Sequence, residues 1–486
     1  MRSLDPRLPV LVGLGAAHDP APVVDLMTAA VGAAAADAGA PGLLRRIECI
    51  AVPQGSWSLT DPGRAVARRV GSPEARTLLC EIGVSQQEVI NHALAAVASG
   101  RFDTVAVVGA EDRAWARDGG VDNDEGGQPP DEVLTRPPDF VAPVEIAAGI
   151  VWPVAQQYAL IENALAAAAF LPSDRQRDQI AALWARYNAV AVHNPEAAFP
   201  QPRDAADIAT PGPHNRPLAY PYNRWHASQW TVNQGSALLI CSAERARASG
   251  VPPERWLFPH VALHSSEAVT LTARRRLEEW PAMGVLGRAA ARHVDRPLGD
   301  LPLAEVYSCF PAAVRVQQRE LGLDPAGTPT LSGGMAFAGG PFNHFVLQSL
   351  RVLGGRLREE PEARGLLTTV SGMLSKPGLA IWSATPPAGL GAVLLADMAA
   401  ETTVATEVVP VVEVPPRAET AATVVSFTVT YGGDEGFDPV RTAIVAGLPD
   451  GVRTAATCED AETARLAVSD GLIGRAVSVK DTTFSL

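Results

Sequence analysis

The chain has 486 residues, more than the roughly 250–300 that a single hydrophobic core accommodates, so several domains are expected. Hydrophobic residues make up 47% and charged residues 19%, which is the balance of a folded globular protein and not of a disordered or membrane chain. The net charge is −13 and the basic clusters are short, such as Arg274–Arg276, so a nucleic-acid-binding surface is not expected.

The sequence carries none of the usual marks of membrane insertion, secretion or metal binding. The most apolar stretches, such as Val23–Ala40, contain aspartates before they reach the ~20 apolar residues that a spanning helix needs. Residues 1–6 have no apolar segment of the signal-peptide kind. Five scattered cysteines without a CxxC pair argue against a disulfide framework or a zinc site. We therefore expect a cytoplasmic protein with no membrane span and no metal.

The first 115 residues alternate apolar runs with helical patterns. Leu8–Leu14 and Cys49–Pro53 are short apolar runs, and Val24–Ala38 is an alanine-rich helix. Glu88–Ala98 carries apolar residues at i, i+1, i+4, i+5 and i+8, the spacing of one helix face. Thr104–Gly109 is almost wholly apolar, which predicts a strand covered on both faces. This alternation is typical of an α/β protein with a buried sheet.

One motif at the start of the chain partly matches a dinucleotide-binding fingerprint. Gly13-Leu14-Gly15 follows an apolar run, but His18 stands where the third glycine belongs. We therefore predict a tight turn here and no nucleotide cofactor.

Residues 116–230 read as an insertion. Gly/Asp-rich and Pro-rich stretches surround two helical segments, Val154–Phe170 and Arg175–Val192. Long insertions often form a lid that carries binding residues, although a plain covering layer is an equal alternative. The strand-like character returns at residues 231–265, which we assign to the end of the first half.

Residues 266–400 resemble the first half in pattern. Phe310–Leu321 and Asn343–Leu353 are predicted helices and Leu379–Ser383 is a predicted strand. The apolar spacing from Phe345 to Leu353 matches that of Glu88–Ala98, which is a weak internal repeat. Two similar α/β halves follow from this interpretation.

Residues 401–486 form a separate small domain in this interpretation. Thr423–Tyr431 alternates β-branched, aromatic and polar residues, and Gly432–Gly436 has turn chemistry. Further short strands are predicted at Arg441–Val445 and Ala476–Val479. The domain is expected to be mostly β and barrel-like.

Four motifs in order resemble the thiolase superfamily, and specifically the bacterial thiolase-like proteins of type 1, often labelled acetyl-CoA acetyltransferases. They are Ser99–Glu111, Val232–Ala237, Glu305–Pro311 and Ser332–His344. The resemblance implies an α/β thiolase fold, in which two similar βαβαβαββ halves form a layered α-β-α-β-α core. The insertion and the small C-terminal β domain would be additions to that core.

The thiolase catalytic residues are missing at the matching positions. Thiolases pass an acyl group through a cysteine, which a histidine activates, while a second cysteine moves protons and further donors hold the oxyanions. The resemblance places the nucleophile on Gly83, with Ser85 two residues further on. It places the activating histidine on Gly340, the first residue of the Asn/His tetrad on Tyr307, and the second cysteine near Ser371. Ordinary thiolase activity is therefore not expected.

Cys309 and His344 are the candidates for a substitute catalytic pair. A cysteine and a histidine within hydrogen-bond reach form a nucleophile–base couple. The plainer interpretation is that Cys309 is a small core residue and His344 begins a helix. The first alternative would be an atypical acyl-CoA acyltransferase, and the second a catalytically silent protein of acyl-CoA and lipid metabolism.

The resemblance also implies the ligand. CoA or acyl-CoA is expected, with no other cofactor, and Arg224 and His226 lie where thiolases approach the CoA moiety. Packing of these residues as an aromatic anchor for the insertion is the alternative. Thiolases commonly dimerise through the sheet region near the nucleophile loop. The C-terminal domain could cover that surface and leave a monomer, or it could contact a partner protein.

Overall fold

The computed structural model describes residues 4–121, 127–136 and 141–486, so part of the Gly/Asp-rich stretch of the insertion lies outside the described residues. The described helices are α1 (Val23–Asp37), α2 (Pro62–Val70), α3 (Gln86–Ala98), α4 (Arg113–Arg117), α5 (Pro143–Ala147), α6 (Ala155–Ala168), α7 (Ser173–Ala191), α8 (Ala205–Ala209), α9 (Ala243–Ala248), α10 (Pro281–Val294), α11 (Pro311–Leu321), α12 (Phe345–Glu359), α13 (Ala399–Ala405) and α14 (Ala461–Asp470). The described strands are β1 (Pro9–Ala17), β2 (Cys49–Pro53), β3 (Arg76–Cys80), β4 (Thr104–Glu111), β5 (Glu132–Leu134), β6 (Pro217–Ala219), β7 (Tyr222–Asn223), β8 (Gln234–Ser242), β9 (Phe258–His264), β10 (Leu303–Glu305), β11 (Arg364–Ser371), β12 (Lys376–Ser383), β13 (Leu394–Asp397), β14 (Thr420–Gly432), β15 (Asp438–Gly447), β16 (Arg453–Cys458), β17 (Ala476–Lys480) and β18 (Thr483–Ser485).

Two sheets with the same internal arrangement form the core. The first runs β1-β8-β4-β2-β3-β5, in which β8 is antiparallel to β1 and β4, while β2 is parallel to β3 and β4. The second runs β10-β11-β12-β9-β13, in which β12 is antiparallel to β11 and β9, while β10 is parallel to β11. Every residue of β4 and β8 is buried, as expected of strands covered on both faces.

Helices α3 and α12 form the central layer between the two sheets. Each contacts strands of both sheets, and they also contact each other. Helices α1 and α2 cover the outer face of the first sheet, and α10 covers the second. The weak sequence repeat corresponds to these two central helices, which occupy equivalent places in the two halves. The predicted thiolase fold with two similar halves is confirmed.

The prediction of a tight turn at Gly13-Leu14-Gly15 is wrong. These residues lie inside β1, where the helix α1 packs directly on the strand. A Cβ atom added at Gly13 would lie 2.2 Å from the carbonyl oxygen of Ala34, and one at Gly15 would lie 1.9 Å from that of Ala30. The glycines therefore serve close packing of strand and helix, not a turn.

The C-terminal region is a closed five-stranded barrel, which confirms the barrel-like prediction. Its strands pair in the order β14-β15-β16-β18-β17 and back to β14, and α14 lies between β16 and β17 in sequence. Strand β6 of the insertion pairs with β14 through Thr430 and Ala219. Helix α6 supports the same strand, since Asn163 Nδ2 donates to the Phe427 carbonyl at 2.8 Å. The insertion thus joins the barrel to the core.

The insertion also covers one edge of the first sheet. Strand β5 pairs in parallel with β3, aligning Leu78–Cys80 with Glu132–Leu134. The edge of β3 is therefore paired with β5, and covering of the dimerisation surface by the C-terminal domain stays a prediction. No helix among the described residues is long and apolar enough to cross a membrane.

Candidate functional site

The position expected for the thiolase nucleophile lies in the loop between β3 and α3. Gly83 has a φ of +109°, a conformation that side chains rarely tolerate. A Cβ atom placed there would lie 3.1 Å from Arg136 Cβ and 3.7 Å from Lys376 Nζ. Ser85, the neighbouring candidate, is the N-terminal cap residue of α3, and its buried hydroxyl has no hydrogen-bond partner among the described residues. The local backbone therefore favours glycine at the nucleophile position.

Two side chains converge on the carbonyl oxygen of Gly83. Ser371 Oγ donates to it at 3.0 Å, and Lys376 Nζ also donates to it. Ser371 ends β11 and Lys376 begins β12, and the two residues face each other across that hairpin. The structure therefore brings together the positions that correspond to the nucleophile and to the second cysteine.

Lys376 is a site residue that the sequence interpretation missed. Its side chain is buried, with 1% of the residue exposed, and desolvation lowers its pKa to about 8 against the opposing effect of Glu88. Burial raises the pKa of Glu88 in turn, with a further contribution from Asp397. A buried amine whose pKa is close to neutrality is a common property of functional sites.

The position expected for the activating histidine is closed by packing. Gly340 lies in the loop before α12, and its N–H donates to the Gln229 carbonyl at 2.9 Å. A Cβ atom there would lie 1.8 Å from Ser228 Oγ and 3.2 Å from the Met335 carbonyl oxygen. An imidazole at this position would require the 228–229 segment to move.

Tyr307 and Cys309 lie between β10 and α11, inside the core. The Tyr307 ring packs edge-on against Phe345 with 5.7 Å between ring centroids, and burial raises the pKa of its hydroxyl. Burial also raises the pKa of the Cys309 thiol to about 12, despite a hydrogen bond with Tyr158. The hydroxyl of Tyr158 reaches the Gly372 carbonyl at 3.3 Å. These surroundings disfavour a thiolate at Cys309.

His344 precedes α12 and has different neighbours from Cys309. Its ring is buried beside Gly109, and burial, with a smaller effect of His18, lowers its pKa to about 3. Nε2 has no hydrogen-bond partner among the described residues, and no hydrogen bond between His344 and Cys309 is present in this part of the chain. The arrangement matches a core cysteine and a helix-start histidine, while the catalytic pair stays an untested prediction.

Arg224 and His226 point to different surroundings. Arg224 is exposed, and its Nε donates to Gln229 Oε1 at 3.2 Å, next to the Gly340 loop. His226 is buried, and its Nδ1 accepts the Asn223 backbone N–H at 2.9 Å. Burial lowers the pKa of His226 to about 3. His226 therefore acts as a neutral local cap, whereas Arg224 is exposed at the surface.

Three aromatic rings and one arginine lie beside the Gly340 loop, and the sequence interpretation did not single them out. We call them the aromatic cluster (Arg113, Trp152, Trp230 and Phe342). The Trp230 ring lies 6.2 Å from Trp152 and 6.1 Å from Phe342, measured between centroids. Arg113 Cζ lies 3.8 Å from the Trp230 centroid, a cation–π distance. Trp152 is 63% exposed. The cluster offers flat apolar faces and a cation at the surface.

A cavity of about 400 Å³ lies on another side of the β11–β12 hairpin. Arg274, Trp280, Leu374, Ser375 and Thr406 are among its lining residues. None of the positions matched to thiolase catalytic residues lines it. Within the described ranges, no group of three or more His, Cys, Asp or Glu side chains is placed to hold a metal ion.

Comparison with known proteins finds similar solved structures. No protein-family description and no curated protein sequence matches the chain. The crystal structure of a monomeric SCP2-thiolase-like protein type 1 from Mycobacterium smegmatis matches with a TM-score of 0.84 and 27% identity, covering 99% of both chains. The peroxisomal thiolase of Saccharomyces cerevisiae matches with a TM-score of 0.54 and 14% identity over 79% of this chain and 98% of that one. A structure titled Ltp2–ChsH2(DUF35) aldolase matches with a TM-score of 0.56 and 19% identity over 78% of this chain and 98% of that one. Over almost its whole length the chain is therefore similar to the SCP2-thiolase-like protein type 1, and it shares the fold of the thiolases.

Proposed function

We propose that this protein binds CoA or acyl-CoA in a thiolase-type cleft and does not carry out ordinary thiolase chemistry. The observation that carries the proposal is the state of the nucleophile position. Gly83 offers no thiol, and its carbonyl is held by Ser371 and Lys376. Thiolase acyl transfer needs a nucleophilic side chain there, so the glycine supports a thiolase fold without ordinary thiolase turnover.

The closed Gly340 position supports the same conclusion. The activating imidazole is absent, and Ser228 occupies the space that its Cβ would need. The surroundings of Cys309 and His344 support the same proposal, since burial raises the pKa of the thiol and lowers that of the imidazole. Both shifts disfavour the charged forms that a thiolate–imidazolium pair requires.

The aromatic cluster and Arg224 support ligand binding. Stacking of a base on an aromatic side chain contributes about 1–3 kcal/mol, which suits the adenine of CoA on the exposed face of Trp152. The guanidinium groups of Arg113 and Arg224 contact Trp230 and Gln229, and the Gln229 carbonyl accepts the N–H of Gly340. Arginine is well suited to phosphate groups because its donors pair with two oxygens at once.

Calorimetric titration of CoA into the full-length protein tests this proposal. We expect saturable binding that Trp152→Ala weakens by about fivefold or more, since it removes a stacking face worth about 1 kcal/mol or more. Phe170→Ala is the matched control, because Phe170 is 94% exposed and belongs to no ring contact in the described structure. Absence of binding at millimolar CoA, or equal losses in the two variants, would overturn the proposal.

We further propose that the protein is a monomer. Strand β5 pairs with β3 through residues 132–134 and so occupies the edge that would otherwise be open to a second subunit. The similar protein from Mycobacterium smegmatis is described as monomeric. Light scattering coupled to size exclusion should give one chain per particle, and a stable dimer would contradict this. Contact between the C-terminal barrel and a partner protein remains a prediction.

A further inference from the structure

Lysine is used sparingly in this chain, and one of its two lysines is buried in the candidate site. Of the 40 lysine and arginine residues in the chain, Lys376 and Lys480 are lysines and all the others are arginines. Lys480 is exposed on the C-terminal barrel, whereas 1% of Lys376 is exposed. Burying a cation costs free energy unless the group can lose its charge or gain partners.

Lys376 lies next to the position expected for the thiolase nucleophile. Its Nζ lies 3.7 Å from the place where a Cβ on Gly83 would be, which is where a nucleophilic side chain would begin. Ser371 donates to the same Gly83 carbonyl, and Glu88 is close enough to stabilise the charged amine. An amine and a hydroxyl therefore meet at the Gly83 carbonyl, and the Glu88 carboxyl group lies within electrostatic reach of the amine.

An arginine at this position could not supply a neutral, nucleophilic amine. A guanidinium stays charged in proteins, whereas a buried lysine can become neutral and nucleophilic near physiological pH. The desolvation that lowers the pKa of Lys376 to about 8 leaves a usable fraction of neutral amine at neutral pH. The Glu88 carboxyl group favours the charged form of the amine and so limits the fall of its pKa.

We propose that Lys376 is a reactive amine that forms an imine with the ketone carbonyl of a ligand seated beside Gly83. The neutral amine attacks the carbonyl carbon, a C–N bond forms, and the carbonyl oxygen leaves as water with the two amine protons. The Ser371 hydroxyl, which shares the Gly83 carbonyl with Lys376, is the group placed to pass those protons on. The ligand carbonyl replaces that of Gly83 as the partner of Nζ, so the 82–84 loop gives way. The substrate class is a ketone-bearing acyl compound, and its delivery by CoA rests on the proposed function.

Reductive trapping tests the proposal on the full-length protein. The protein is incubated at neutral pH with sodium cyanoborohydride and acetoacetate, and in a second arm with acetoacetyl-CoA, and modified peptides are identified by mass spectrometry. We expect the adduct on Lys376 in at least about tenfold excess over Lys480, because lowering the pKa increases the neutral fraction of the amine. The rate of modification in the unaltered protein should rise to its half-maximum near pH 8.

Two matched variants give the control. Lys376→Arg keeps the positive charge but removes the amine, so its adduct should vanish, while Lys480→Arg should leave modification of Lys376 unchanged. Adducts confined to Lys480 and the amino terminus, or on Lys376 after denaturation alone, overturn the proposal. The acetoacetate arm needs no CoA binding. An acetoacetate adduct in a protein that does not bind CoA would contradict only the proposed function. CoA binding without any adduct would contradict only the lysine proposal.

Discussion

The ammonium group of Lys376 donates a hydrogen bond to the carbonyl oxygen of Gly83, the residue that stands where the resemblance places a thiolase nucleophile. Ser371 donates to the same oxygen at 3.0 Å. The loop that would present a reactive thiol is thus held from the second half of the molecule. This contact joins the two halves at the position where the resemblance places the nucleophile.

Replacing Lys376 should change how stability depends on pH. The pKa of Lys376 falls from 10.5 to about 8 on folding, so the unfolded chain binds more protons than the native one between these values. The free energy of unfolding of the unaltered protein should therefore rise with pH across this window relative to Lys376→Met, by at most about 3 kcal/mol. Urea unfolding at pH 7.5, 9 and 10.5, values chosen around that window, measures it. A difference that is constant with pH would contradict the burial of the charge.

Gly340→Ala should destabilise the protein by about 1–3 kcal/mol, as overpacking of a close contact does. The new methyl group would lie 1.8 Å from Ser228 Oγ. The double variant Ser228→Gly with Gly340→Ala should recover much of the loss, and Ser228→Gly alone gives the baseline. The midpoint of urea unfolding is measured for each of the three variants and compared. Equal stability of Gly340→Ala and the unaltered protein would show that this loop has room for a side chain.

Cys309 should be unreactive in the native protein. Since burial raises the pKa of its thiol to about 12, the thiolate fraction at pH 8 is about a thousandfold below that of an ordinary cysteine. Cys458 is partly exposed and serves as the internal control in the same chain. Alkylation by iodoacetamide, followed by peptide mass spectrometry, should label Cys458 first. Rapid labelling of Cys309 would revive the substitute catalytic pair with His344.

Much of the fold could be predicted from sequence because its elements have strong periodic patterns. The predicted helix Val24–Ala38 is α1 at Val23–Asp37, and the predicted strand Thr104–Gly109 lies within β4. Strand β16 and helix α14 were missed, since both are short and carry many alanines and polar residues. Strand β5 was also missed because its three residues form a strand through pairing with β3, not through local preference.

The candidate site was harder to predict, because motif comparison points to the residues that are missing and not to their replacements. Gly83 and Ser371 could be placed by counting from the motifs, and the structure brings them together. Lys376 follows a turn after a strand and belongs to no thiolase motif. The sequence feature that could have singled out Lys376 is the rarity of lysine in this chain. The aromatic cluster joins residues from the insertion and from both halves, which one-dimensional spacing does not reveal.

Thiolytic cleavage of acetoacetyl-CoA by free CoA distinguishes a thiolase fold that binds CoA compounds without turnover from a working thiolase. The loss of acetoacetyl-CoA is followed optically with the full-length protein at a CoA concentration that saturates binding. We expect a rate equal to that of buffer, because Gly83 and Gly340 supply neither thiol nor imidazole. Saturable cleavage at about 1 s⁻¹ or faster, the range of ordinary enzymes, would show that the protein is a working thiolase.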